Sequence, residues 1–173
     1  MNLAVRIILT ALLVWWVLFP VFTASKNESI LAEIYRIGMV PAMLIMGAFF
    51  GMVAFYCRTL KKCYLQIKPE NRKAKPNAVW YMFALPFNFV EDFFIVIDLA
   101  RSLEEEKKNN NKLSQITDFG MVSGIGWSIA QIMSFIPNLV GQVAGMIGFV
   151  LVIYHWILIN RIKNLLSAPN ETS

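Results

Sequence analysis

Twenty-one consecutive residues from Ile37 to Cys57 carry no charge. At about 1.5 Å of rise per residue such a helix is roughly 31 Å long, which matches the ~30 Å hydrocarbon core of a bilayer. A helix that is apolar on all sides needs either lipid or a large protein core around it. The rest of the chain favours lipid: 57% of its residues are hydrophobic and 16% charged, against roughly 45–50% and 25% in a soluble domain. The reading is one all-α membrane domain over residues 1–173. Met39, Met43 and Met46 share a face of this run, as do Gly47 and Gly51, and the expectation is adaptable packing against neighbouring helices.

Four further hydrophobic segments flank the run. Residues 5–23 are apolar after Arg6, with Trp15, Trp16 and Pro20 near the far end. A basic start, an apolar stretch and the small pair Ala24–Ser25 also resemble a signal peptide, but two tryptophans and a proline fit an uncleaved first span better. Residues 119–136 and 139–159 form two spans joined by Pro137 and Asn138, and their lengths correspond to roughly 27 Å and 31 Å. Gly120 and Gly124, with Gly141, Gly145 and Gly148, make rows of small residues along which two helix backbones can approach closely. The remaining segment, about 79–103, is interrupted by Pro86, Asn88, Glu91, Asp92, Asp98 and Arg101. An ionised carboxylate in mid-bilayer costs about 2.5–3.5 kcal/mol on insertion scales. This segment is therefore expected to be one interfacial or re-entrant helix, with its acids mostly on one side and Phe89, Phe93, Val96, Ile97 and Ala100 on the other.

Charge orients the four spans. The loop 58–77 carries seven Lys/Arg against one acid, Glu70, so it belongs on the cytoplasmic side. Both termini then lie inside, and the connection holding Lys26, Asn27, Glu28 and Ser29 lies outside. If 79–103 also crossed, the lysines 107, 108 and 112 and then Arg161 and Lys163 would face out, against the same rule. The net charge of +5 is explained by anionic lipid headgroups rather than nucleic acid. Arg58, Lys61, Lys62, Arg72, Lys73 and Lys75 are the expected lipid or partner contacts, with Arg72 placed to hold a carboxylate of the next segment. The polar loop 104–118, beginning EEEKKNNNK, is expected to be a frayed helix end and a mobile connection.

No catalytic constellation is present. The chain has one histidine and two cysteines, and the six-residue step between Cys57 and Cys63 suits neither a zinc knuckle nor a redox pair. No metal and no cofactor is expected. Glu91, Asp92 and Asp98 are the sharpest functional candidates, because ionisable groups at membrane depth mark ion or substrate pathways; the plainer alternative is a solvated face pairing with Arg72, Lys73 or Arg101. His155 is expected to make an interhelical hydrogen bond, with a proton relay as the other reading. Gln131, Asn138 and Gln142 are read as helix–helix hydrogen-bonding groups, with a substrate role as the other reading.

From Cys57 onward the chain carries Pro69–Glu70–Asn71–Arg72, then Pro76, Val79–Trp80, Leu85–Pro86, Asn88 and Ser102–Leu103. Asp118–Phe119–Gly120, Ile136–Pro137, Tyr154 and Trp156 follow. In these features, over about two-thirds of its length, it resembles an uncharacterised family of small bacterial multi-pass membrane proteins with a PENR-x3-P-x2-VW pattern. The resemblance implies residence in a bacterial inner membrane and no particular chemistry. Together these features are read as a non-enzymatic interaction or scaffold module whose partners are the bilayer and a second copy or another membrane protein. The alternative is a small transporter or channel that uses the acids of the segment 79–103.

Overall fold

The computed structural model describes residues 3–23, 37–136 and 138–168. The connection holding Lys26 to Ser29, the pair Ala24–Ser25 and Pro137 lie outside the described residues. Those described form five α-helices and three short 3-10 turns, with no strand. The helices are α1 (Leu3–Thr23), α2 (Met39–Gln66), α3 (Asn88–Lys107), α4 (Met121–Met133) and α5 (Leu139–Ser167). The 3-10 turns are Pro69–Asn71, Pro76–Phe83 and Asn111–Leu113.

Two of these helices, α2 and α5, are long and apolar enough to cross a membrane. Only 11% and 22% of their most apolar windows are buried inside the molecule, whereas the core helix of a soluble protein would be mostly covered. By the same measure the apolar stretches Ala4–Trp16 of α1 and Met121–Met133 of α4 are too short, so the length criterion supports two of the four expected spans. The methionines and glycines of α2 also differ from expectation. Met39, Met43 and Met46 are exposed, and a Cβ added at Gly47 or Gly51 would meet nothing within 4 Å, so this face packs against no other element among the described residues.

Helix directions follow from contact pairs. The Tyr56 hydroxyl lies 2.7 Å from His155 Nδ1, Trp156 donates to Thr59 Oγ1 at 2.9 Å, and Gln66 donates to Ser167. Numbers rise together, so α2 and α5 run parallel. Gly120 lies against His155, Gly126 against Leu151 and Gly148 against Ala130, so α4 runs antiparallel to α5. The hairpin between them closes where a Cβ on Gly141 would overlap the Ile136 carbonyl oxygen. Asn138 caps α5 by accepting from the Val140 and Gly141 N–H groups at 2.8 and 3.3 Å, which satisfies donors that a helix start leaves free.

Between α2 and α4 the chain folds back on itself. Cys57 Sγ lies 3.3 Å from the Val79 carbonyl and the rings of Phe50 and Phe83 stack at 6.1 Å, so Pro76–Phe83 descends antiparallel to α2. After the Leu85–Pro86 step, a cis peptide, α3 climbs back. Phe89 meets Phe135 edge to face at 5.4 Å, Val96 meets Gly124, and the Lys68 N–H donates to Glu106 at 3.0 Å. The single helix expected over 79–103 is thus a 3-10 limb and an α limb, broken where proline removes a backbone donor.

The open end of this hairpin is held by a polar clip. Glu106, 1% exposed, accepts from Lys68 N–H and Asn71 Nδ2 on one oxygen and from Asn110 Nδ2 on the other, at 3.0, 2.8 and 3.1 Å. Ser102 Oγ accepts from Lys73 N–H at 2.9 Å. Arg72 does not hold a carboxylate of α3; it donates to the Ile67 and Leu65 carbonyls at 2.8 and 3.1 Å. Those carbonyls end α2, where unpaired acceptors and the helix dipole favour a cation. Nor is the EEEKKNNNK stretch frayed: α3 continues to Lys107, and Lys112 Nζ donates to the Leu166 and Ala168 carbonyls at the end of α5.

Candidate functional site

Beside Tyr56, between α2 and α5, lies a cavity of about 330 Å³. Small-molecule sites typically measure roughly 300–1,000 Å³. Phe49, Phe50 and Val53 of α2 and Gly145, Gly148, Phe149 and Val152 of α5 form two walls, and Leu85, Asn88, Phe89 and Asp92 of the folded-back segment form a third. Trp127 and Gln131 of α4 and Phe135 just beyond its end complete it. Leu85, Phe49 and Phe149 are also exposed on the outer surface, so the cavity opens through the side of the bundle. Gly145 and Gly148 are read from the sequence as packing residues; each lies beside α4, and Gly148 comes so close to Ala130 that a Cβ would stand 3.2 Å from it. Their missing side chains also leave the cavity its room.

The three acidic candidates separate. Glu91 forms a two-oxygen ion pair with Arg6 of α1 at 2.7 and 2.8 Å, and the same guanidinium lies 4.2 Å from the Phe94 ring centroid. The basic partners expected for it, Arg72, Lys73 and Arg101, are not used. Asp98 is half-buried, and its backbone carbonyl accepts from Ser102 Oγ. Asp92 does not belong to a solvated face: it is 3% exposed, and its Oδ1 meets no donor among the described residues. It shares the inward stripe of α3 with Asn88, Ile95, Val96, Leu99, Leu103 and Glu106. Asn88 Oδ1 and Trp127 Nε1 are likewise buried without a partner. Unpaired buried polar groups cost about 1–3 kcal/mol each, so three beside one cavity are a departure that packing alone does not explain.

His155 is wholly buried. Its Nδ1 faces the Tyr56 hydroxyl, and a Cβ on Gly120 would lie 2.8 Å from its ring and one on Gly124 3.2 Å from its Nε2. Gly120 also has φ +81°, a left-handed conformation that strains other residues. These two glycines therefore make the seat for an imidazole as well as a helix contact. Among the basic candidates Arg58, Lys62, Lys73 and Lys75 are exposed and Lys61 and Arg72 are half-buried. No group of three or more His, Cys, Asp or Glu among the described residues is placed to hold a metal ion.

Sequence reasoning missed Asn88, Trp127 and the surrounding phenylalanines as a site. The available signal was the 92-96-99-103-106 spacing, which puts Asp92 in register with the apolar stripe. No protein-family model, curated protein or solved structure matches the chain.

Proposed function

We propose that this chain is a four-span, non-enzymatic membrane protein with a re-entrant hairpin, and that it binds and moves a small solute through the cavity beside Asp92. The observation that carries the reading is a buried carboxylate without a donor on Oδ1, bordering an aromatic cavity between apolar helices. Ionisable groups in such places are costly and serve substrate or ion pathways. In this reading α1 and the α4 hairpin arm complete the spans, the latter lengthened by its flanking turns. The parallel course of α2 and α5 supports the hairpin's entering and leaving on one side, because a fifth crossing would reverse α5. Half-exposed Trp80, Tyr81 and Tyr154 lie near the level of Tyr56 and His155, just before Arg58, Lys61 and Lys62, as aromatic and basic residues do at a cytoplasmic membrane boundary. The site then sits in a bacterial inner membrane with both termini inside.

The test is flux in proteoliposomes over a panel of protons, sodium, amino acids and small amines. At least one flux exceeds that of empty vesicles and falls in Asp92→Asn. Rates equal to empty vesicles across the panel would refute the reading. A scaffold role is favoured by a separate observation, the open Gly47–Gly51 face of α2, which suits close packing by a second copy. Disulfide cross-linking of Gly47→Cys between copies in membranes tests it; no cross-linked dimer counts against it.

A further inference from the structure

The cavity's chemistry is asymmetric. Two of its unpaired buried atoms, Asp92 Oδ1 and Asn88 Oδ1, are acceptors, and both residues are on the same wall four positions apart, one helical turn. Among the described residues Arg6 is engaged by Glu91, and an ionised Asp92 has no cation beside it. The facing walls carry the rings of Phe49, Phe50, Trp127, Phe135 and Trp156. Aromatic faces attract cations within about 6 Å of their centroids and more strongly once water is excluded. An anion would meet Asp92 and the negative ring faces, and a neutral apolar solute would leave both oxygens unpaired.

We propose, building on the solute-binding reading above, that the occupant is a protonated primary or secondary amine with a compact apolar or aromatic body. Its N–H groups donate to Asp92 and Asn88, its charge is balanced by Asp92, and its body lies against the phenylalanine and tryptophan rings. The lateral opening past Phe49, Leu85 and Phe149 suits a solute that partitions into lipid before it binds. A quaternary ammonium keeps the charge and loses the donors, which makes it the sharpest comparison.

The experiment is calorimetric titration of the full chain in lipid nanodiscs, against empty nanodiscs, with four probes: 2-phenylethylammonium, its N,N,N-trimethyl analogue, 2-phenylethanol and phenylacetate. Saturable binding of 2-phenylethylammonium at least tenfold tighter than the other three is the expected result, with a loss of tenfold or more in Asp92→Asn. The wild-type comparison needs no variant, so it stands even if Asp92→Asn is unstable. If the trimethyl analogue, the alcohol or the acid binds as tightly, the amine proposal is overturned while a solute-binding cavity survives. If none of the four saturates, both are overturned.

Discussion

At Gly124 the return limb α3 presses on α4 with no space for even a methyl group. A Cβ there would stand 2.7 Å from Val96 Cβ, 2.9 Å from its Cγ2 and 3.2 Å from His155 Nε2. Carbon atoms rest at about 3.5–4.0 Å, so Gly124→Ala must separate the two helices by roughly 1 Å. Val96 cannot swing aside, because its Cβ is fixed by the backbone and β-branching stiffens its χ1. Overpacking of this kind costs about 1–3 kcal/mol, which corresponds to a midpoint drop of roughly 2–12 °C for a domain of this size. Gly47→Ala and Gly51→Ala add the same methyl where nothing lies within 4 Å, and they leave the midpoint unchanged or slightly raised. The chain carries its own reporter, since Cys57 and Cys63 are both fully buried free thiols. Heating in mild detergent with a maleimide that fluoresces on reaction follows their exposure. A Gly124→Ala midpoint equal to those of the two control variants would show that α3 does not pack on α4, and the fold-back of residues 76–107 would have to be abandoned.

Three further expectations concern the site and its frame. Asp92→Leu removes a buried carboxylate whose Oδ1 has no donor and raises the same thermal midpoint by the equivalent of about 1–3 kcal/mol; a lower midpoint would make Asp92 structural. For Glu106, burial pushes the carboxyl up, but donors from Asn71, Lys68 and Asn110 outweigh it and hold the group below its ordinary range. Its stabilising contribution is therefore complete above the unfolded value of about 4.3 and is lost as pH falls through the lower folded value. Wild type should lose stability more steeply than Glu106→Gln on acidification below about pH 4, and parallel curves would contradict the clip. Single cysteines at Ser29, Asn110, Asn138 and Ser173, in a background lacking Cys57 and Cys63, test the topology: 29 and 138 label from outside intact cells, while 110 and 173 label only after permeabilisation. Outside labelling at 110 would mean that the segment 79–103 crosses.

The parts of the fold that depend on chain-local chemistry were readable from the sequence. Ile37 to Cys57 announces a long apolar helix by its lack of charge, Pro137–Asn138 announces a hairpin, and Pro86 followed by acids announces a segment that cannot be an ordinary lipid-facing helix. What escaped depends on contacts across the chain. Arg6 and Glu91 are 85 positions apart, and no local pattern selects that pair over Arg72 or Lys73. Arg72 goes to the last carbonyls of α2 because it lies five residues beyond Ile67, within reach of acceptors that need a cation. Asp92 was grouped with Glu91 and Asp98 by its chemistry, although its spacing to Val96, Leu99 and Leu103 places it inward. A cavity has still less of a local signature, since Gly145 and Gly148 look the same whether their missing side chains admit a helix or a solute.

The hairpin is fastened along its whole length as well as at its open end. The clip joining Lys68, Asn71 and Lys73 to Glu106 and Ser102 stands fourteen residues from Asp92, a helix length of roughly 21 Å. Between clip and bend the limbs stay packed, since Val79 and Met82 of the descending limb share one buried cluster with Ile95, Val96 and Leu99 of α3. The Tyr64 hydroxyl of α2 donates to the Ile95 carbonyl of α3 at 3.5 Å, so a shift of the basic loop reaches the buried acid through α2 as well as along α3. Anything that displaces Lys73 from Ser102 therefore disturbs the frame on which the cavity wall is built.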